Sequence, residues 1–156
     1  MKKIILIVGA FVMLFSFVSC KNNYEYSRDD FNLMIMVNKT EVSVGDSIEV
    51  KVTLENLSKK NIKIQMIHTD FRKIDDVISI GLFKENEEHN FIMNSKGGPR
   101  KKMNIKKNEV ITKTEKLTIH DFIDYEVVVL VSFYTGKGYN QAVSIYSDVK
   151  KIKIKE

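Results

Sequence analysis

Between residues 47 and 56 the chain alternates without a fault: Ile48, Val50, Val52 and Leu54 are apolar, while Glu49, Lys51, Thr53 and Glu55 are polar or charged. A period of two puts the apolar side chains on one face of an extended strand and the polar ones on the other. Burying four such side chains gains about 6–12 kcal/mol, whereas ordering eight backbone residues costs about 8–16 kcal/mol. A strand of this kind is stable only beneath a second layer, and the simplest second layer is another sheet.

The same alternation runs through 31–37, where Phe31, Leu33, Ile35 and Val37 share one parity. Further strand candidates are 61–67, 77–83, 109–119, 125–133 and 142–155, which makes seven. In 125–133, Tyr125, Val127, Val129, Val131 and Phe133 form one face and Val128 with Leu130 makes the other apolar too, so this strand is expected at the centre of a sheet, covered on both sides. In the last candidate Ile145 and Val149 share one parity and Ile152 and Ile154 the other, so both sets can face the core only if a residue is inserted; a bulge or break is expected between Asp148 and Lys151. Lys151, Lys153 and Lys155 suit an outer strand protected from edge pairing. No helical period persists beyond residue 20. The segment 84–107 reads as a loop, acidic at Glu85, Glu87 and Glu88, with a short strand at 91–94. The expected fold is all-β, an antiparallel sandwich of about seven strands over 31–156.

The N-terminus has a different character. Lys2 and Lys3 precede fifteen uncharged, mostly apolar residues at 4–18, followed by Ser19 and Cys20. Such a run is short for a bilayer core, which needs about 20 helical residues, so cleavage as an export signal is expected over a permanent span. Phe17-Val18-Ser19-Cys20 resembles the lipobox of bacterial lipoproteins, with phenylalanine where leucine is usual. That resemblance implies a signal peptide over 1–19, cleavage between Ser19 and Cys20, and a diacylglycerol on the Cys20 sulfur with acyl chains such as palmitate. Two chains on one sulfur hold a protein at a membrane, since each buried methylene contributes about 0.8 kcal/mol. Residues 20–30 then form the lipidated cysteine and a polar tether. Lys21 lacks the aspartate that retains some lipoproteins at the inner membrane, so the outer membrane is the expected address.

Cys20 is the only cysteine, so a lipidated chain has no thiol left for a disulfide, a thiolate metal site or a nucleophile. The formal charge of +5 becomes +3 without Lys2 and Lys3, and acids and bases are mixed along the chain, with 22 lysines and three arginines. Nucleic acid is not an expected partner.

Residues 42–58 include Gly45-Asp46 before the alternating strand and Asn56 after it, and resemble the A′ to B region of bacterial immunoglobulin-like domains. Tyr125, four residues after Asp121, is similar to the tyrosine corner of such sandwiches. With no tryptophan and no cysteine pair, antibody-type domains are excluded. The resemblance implies adhesion, scaffolding or inhibition. Catalytic motifs are wanting: His68-Thr69-Asp70 and His120-Asp121 are sequence neighbours that a strand would turn to opposite faces, and His68, His89 and His120 show no metal-ligand spacing. No metal and no cofactor are expected. Tyr134, Lys137 and Tyr139 surround Gly136 and Gly138 in what reads as a hairpin tip, a candidate binding loop; the alternative packs the two tyrosines on each other. Met34, Met36, Met66, Met93 and Met103 read as core filler. The functional reading is a lipid-anchored envelope protein, not an enzyme, that binds an envelope or host protein. The alternatives are an inhibitor resembling β-sandwich proteinase inhibitors and, more distantly, an enzyme with a dispersed His and carboxylate site.

Overall fold

The computed structural model describes residues 25–66, 77–91 and 101–155. Ser19, Cys20, His68, Asp70 and Met93 lie outside the described residues. The strands run in the order β1 (Phe31–Val37), β2 (Glu41–Val42), β3 (Ser47–Asn56), β4 (Ile62–Met66), β5 (Ile78–Lys84), β6 (Lys102–Ile105), β7 (Val110–Thr118), β8 (Tyr125–Thr135), β9 (Gln141–Tyr146) and β10 (Lys150–Ile154). One sheet has the order β1-β3-β7, and the other runs β2-β10-β8-β4-β6, with β5 and β9 also on β8. The fold is an immunoglobulin-like β-sandwich.

The alternating strand does what its period requires. Ile48, Val50, Val52 and Leu54 of β3 are fully buried, and they join Ile62, Ile64, Val127, Val129, Val131, Phe133 and Ile152 from the facing sheet in one core. Phe31 meets Phe133 edge to face across the sandwich, with ring centroids 5.4 Å apart. Gly45, at φ +90°, takes a conformation costly for any other residue, and the Asp46 carboxylate accepts the Ser43 N–H at 3.1 Å, so the Gly-Asp turn leads into β3 as expected.

The central strand is β8, and both its edges are paired in two pieces. On one edge Met66 of β4 pairs with Phe133 and Ile78 of β5 with Val131, so the register jumps by ten residues between two pieces that run the same way. On the other edge Tyr146 of β9 pairs with Leu130 and Lys150 of β10 with Val127, a jump of one residue. The break expected between Asp148 and Lys151 lies slightly earlier, over Ser147 to Val149: Ile145 and Ile152 both face the core, and the extra residue leaves Val149 exposed. Ser147 holds the break in place by donating its N–H to the Val129 carbonyl at 2.9 Å and accepting the Val129 N–H on Oγ at 3.0 Å.

Several expectations are corrected. There are ten strands among the described residues, because the last candidate divides and because β2 and β6 are too short to show a period. The sandwich is not wholly antiparallel, since β2 pairs with β10 in parallel. That pairing also puts β10 between β2 and β8 rather than at an edge, and its lysines stand out from the sheet face, with Lys151 2.7 Å from Glu85 and Lys155 3.1 Å from Glu41. The segment 84–107 contains β6, while Phe91 lies in no strand and 92–94 fall outside the described residues. Met66 is buried and Met103 packs on the core, but Met34 and Met36 are exposed on the outer parity of β1, the polar side of the alternation.

The outer face of β8 is apolar, as its doubled pattern requires, and Val128 and Leu130 are buried there. The segment after β5 folds back over this face. Phe83, Phe91 and Tyr146 form a row of edge contacts with centroids 5.3 and 6.2 Å apart. A Cβ on Gly81 would meet the Phe83 ring where it now lies, so the ring's place in the row depends on the glycine. His89 closes the row, its Nε2 lying 2.7 Å from Glu126.

Candidate interaction site at the tether end

The registers place one set of loops at each end of the sandwich. Phe31 pairs with Asn56, Glu55 with Val110, Ile62 with Ile105 and Thr135 with Gln141, so the start of β1 shares an end with the turns at 57–61, 106–109 and 136–140. This is the tether end. Segments 38–46, 85–88 and 119–124 form the far end.

Asn56 organises the tether end. Its side chain is fully buried, and Nδ2 donates toward the carbonyls of Lys60, Lys106 and Ile105 at 3.0, 3.0 and 3.3 Å. Its Oδ1 accepts the Ser58 N–H at 3.0 Å and the Ser58 hydroxyl at 2.6 Å. One amide thereby ties the end of β3 to two lysine-bearing turns and to the other sheet. A buried amide is tolerable only when its groups are satisfied, and here both oxygen and nitrogen are.

Residues 25–30, expected as loose tether, are docked. Arg28–Asp30 make a 3-10 turn in which the Ser27 N–H donates to the Asp30 carboxylate at 2.8 Å and the Asp30 N–H to the Ser27 carbonyl at 3.2 Å, and Asp30 is buried. The Tyr26 N–H donates to Gln141 Oε1 at 3.2 Å, and Gln141 Nε2 donates to the Tyr26 carbonyl at 2.8 Å. The Tyr26 ring packs against the core, and burial, with Asp30 nearby, raises its phenol above the usual tyrosine value. A side-chain amide thus stands in for a strand partner.

The 136–140 loop is the expected hairpin tip, with a 3-10 turn at Lys137–Tyr139. Tyr139 has φ +58°, and the Lys102 ammonium lies 4.9 Å from its ring centroid, a cation–π contact that ties the loop to β6. Thr135 is buried and donates its hydroxyl to the Lys63 carbonyl at 2.9 Å. Between the docked segment and the hairpin lies an open cleft of about 500 Å³, lined by Tyr26, Lys60, Lys63, Lys137 and Gln141, with Glu25 as its acidic member. The structure therefore brings Lys137 of the candidate loop into a cleft with lysines of β4 and the turn before it. Sequence reasoning missed the cleft because its lining comes from segments more than a hundred residues apart, joined by Gln141.

The loop charges are unevenly divided in space. Among the described residues the tether-end segments carry Arg28, Lys59, Lys60, Lys106, Lys107 and Lys137 against Glu25, Asp29, Asp30 and Glu109. The far-end segments carry Lys39 against Glu41, Asp46, Glu85, Glu87, Glu88, Asp121 and Asp124, and the strand ends beside them add Lys84, Lys151, Lys153 and Lys155. Lys63 and Lys102, exposed on the strands beside the hairpin, add to the basic end. Acids and bases remain mixed along the chain, but antiparallel folding sends successive loops to opposite ends, so the charges of the loops divide unevenly between the two ends.

The far end is held by ion pairs. Lys84 lies 2.8 Å from Asp121, and the Tyr125 hydroxyl donates to the same carboxylate at 3.3 Å. The tyrosine reaches back four residues as the resemblance implies, onto a side chain rather than the backbone. Lys84 holds the Asp121 carboxyl below the usual aspartate value, and Asp121 raises Lys84. Glu85 likewise raises Lys151. Asp121 is thus engaged with Lys84 and Tyr125, while His120 is exposed. Phe122 is 79% exposed at this tip. Among the described residues no group of three or more His, Asp or Glu is placed to hold a metal ion.

No protein-family model matches the chain, and no curated protein does. Solved structures similar to it include Spo0M, the sporulation control protein of Bacillus subtilis, at 14% identity and TM-score 0.46, covering 81% of this chain and 50% of that one. Others are a CARDB domain from Pyrococcus furiosus solved with di-metal ions, at 11% identity and TM-score 0.40, covering 88% and 100%, and PapD-like domain 7 of human CEP192, at 10% identity and TM-score 0.42, covering 78% and 85%. The chain spans about half the length of Spo0M.

Proposed function

We propose that this protein is a lipid-anchored component of a cell envelope, held by Cys20 at the outer membrane, whose immunoglobulin-like sandwich acts by binding rather than by catalysis. The observation that supports this reading best is the paired hydrogen bonding of Tyr26 with Gln141, because it fixes the end of the domain from which the chain runs back to Cys20. With residues 25–30 docked, only residues 21–24 separate the cysteine from the folded domain. The span from Cys20 to Glu25 reaches about 18 Å at full extension. A lipid on Cys20 would set the loop of Tyr134, Lys137 and Tyr139 close to the membrane and present the far end, with Phe122, to envelope or host proteins.

The test is the mass of the mature protein recovered from membranes of its own host or a lipoprotein-processing host. The expected N-terminal residue is Cys20 carrying a diacylglyceryl group. A mature chain that begins at an unmodified Met1 overturns the reading.

A further inference from the structure

We propose that the basic tether end is a docking surface for anionic phospholipid, with Lys63, Lys102 and Lys137 meeting the headgroup phosphates and Tyr139 lying at headgroup level. This rests on the anchored reading for its direction but not for its chemistry. Three observations carry it. First, the loops of the tether end and of the far end differ in net sign, and the cleft that opens at the tether end places Lys60, Lys63 and Lys137 around one polar hollow with a single acid, Glu25. Second, the frame under these lysines is rigid: Asn56 clamps the turns at 57–61 and 106–109, Thr135 ties to Lys63, and Lys102 is seated on Tyr139. Third, the segment before Glu25 leaves from this end, and the short span from Cys20 to Glu25 keeps this end within about 18 Å of the surface in which Cys20 would be embedded.

Lysines near an anionic membrane contribute about 1 kcal/mol each and act within a Debye length of about 8–10 Å. A tyrosine with an apolar ring and a polar tip suits the headgroup layer. The far end would be repelled by the same surface, so the field orients the domain as well as holding it. Lipid anchor and basic face would then act as two signals, the arrangement that stable membrane attachment uses.

Every strand and core residue described above lies between Glu25 and Lys155, so a chain starting at Lys21 retains the whole fold. This unlipidated domain is mixed with vesicles of phosphatidylcholine alone, or of phosphatidylcholine with about one quarter phosphatidylglycerol, and binding is read by cosedimentation. Binding is expected on the anionic vesicles only, weakening as salt rises. Reversing Lys63, Lys102 and Lys137 to Glu should lower it about a hundredfold, at roughly fivefold for each lysine near the surface. Reversing Lys39, Lys153 and Lys155, an equal change of net charge at the other end, should leave it nearly intact. Equal losses in the two triple variants, or equal binding to both vesicle types, would overturn the docking surface. Because the domain carries no lipid, that failure is distinct from failure of the anchor, which the mass of Cys20 decides.

Discussion

The two ends of the sandwich are made of the same kind of part, short loops between antiparallel strands, yet they are held by different forces. At the tether end the most sheltered ties are neutral: the Asn56 amide under two turns, the Ser58 hydroxyl, and Gln141 on the Tyr26 backbone. At the far end they are charged and exposed, as in Lys84 with Asp121, Lys151 with Glu85 and Lys155 with Glu41. A buried amide that loses its partners leaves several backbone groups unsatisfied, which is costly. An exposed ion pair is screened by water and salt and contributes little. The end that presents lysines is therefore the one with the stiffer frame.

The sharpest way to break this contrast is Asn56→Ala. It removes the acceptor for Ser58 and the donor to the carbonyls of Lys60, Lys106 and Ile105, and should lower unfolding stability by about 3 kcal/mol in a denaturant titration. The matching change at the far end, Asp46→Ala, removes one exposed turn hydrogen bond and should cost about 1 kcal/mol or less. Equal losses at the two positions would show that Asn56 is not a hub.

Gln141→Leu should cost less, about 1–2 kcal/mol, because two hydrogen bonds go but the Tyr26 ring keeps its packing. Its clearer signature is local. Hydrogen exchange at the Tyr26 and Asp30 amides should quicken by about tenfold or more while the β8 amides stay protected. Unchanged exchange would mean that residues 25–30 are held by something other than Gln141.

Tyr125→Phe should cost about 1 kcal/mol, since one long hydrogen bond to Asp121 is lost and the buried ring remains. The smallest expected effect is acid sensitivity. Asp121 has a folded pKa below its ordinary value of 3.8, so its stabilising contribution is present above that value and is lost as pH falls through the folded pKa. Asp121→Asn should flatten the decline of stability below about pH 4, where the carboxyl of the unfolded chain begins to protonate. The tether-end ties through Asn56 and Gln141 titrate nowhere in this range, and a variant of either should keep the parent's pH profile while shifting its height.

Much of the fold was legible in the chain because period-two alternation reports one-sided burial directly. The alternation of β3 gave its buried face residue by residue, the doubled apolar pattern of β8 gave its central place, and the parity conflict between Ile145 and Ile152 gave the bulge. The strands β2 and β6 were not legible, because two or four residues are too few to carry a period. The hairpin tip with Tyr134, Lys137 and Tyr139 could be picked out from its glycines. Its neighbours in the cleft could not be, nor could the approach of His89 to Glu126, since those contacts join segments with no shared local signal.

By itself the sequence determined the class of fold and the inward face of the long strands, because hydrophobic burial acts on each side chain according to its own parity. Only the tertiary structure decided which charges stand together. Alternate loops of an antiparallel sandwich go to opposite ends, so loop charges that intermingle along the chain divide in space into basic loops beside the tether and acidic loops away from it, the latter paired with lysines of neighbouring strands. The same folding brought Gln141 to Tyr26, and with that contact settled which end of the domain its N-terminal segment leaves.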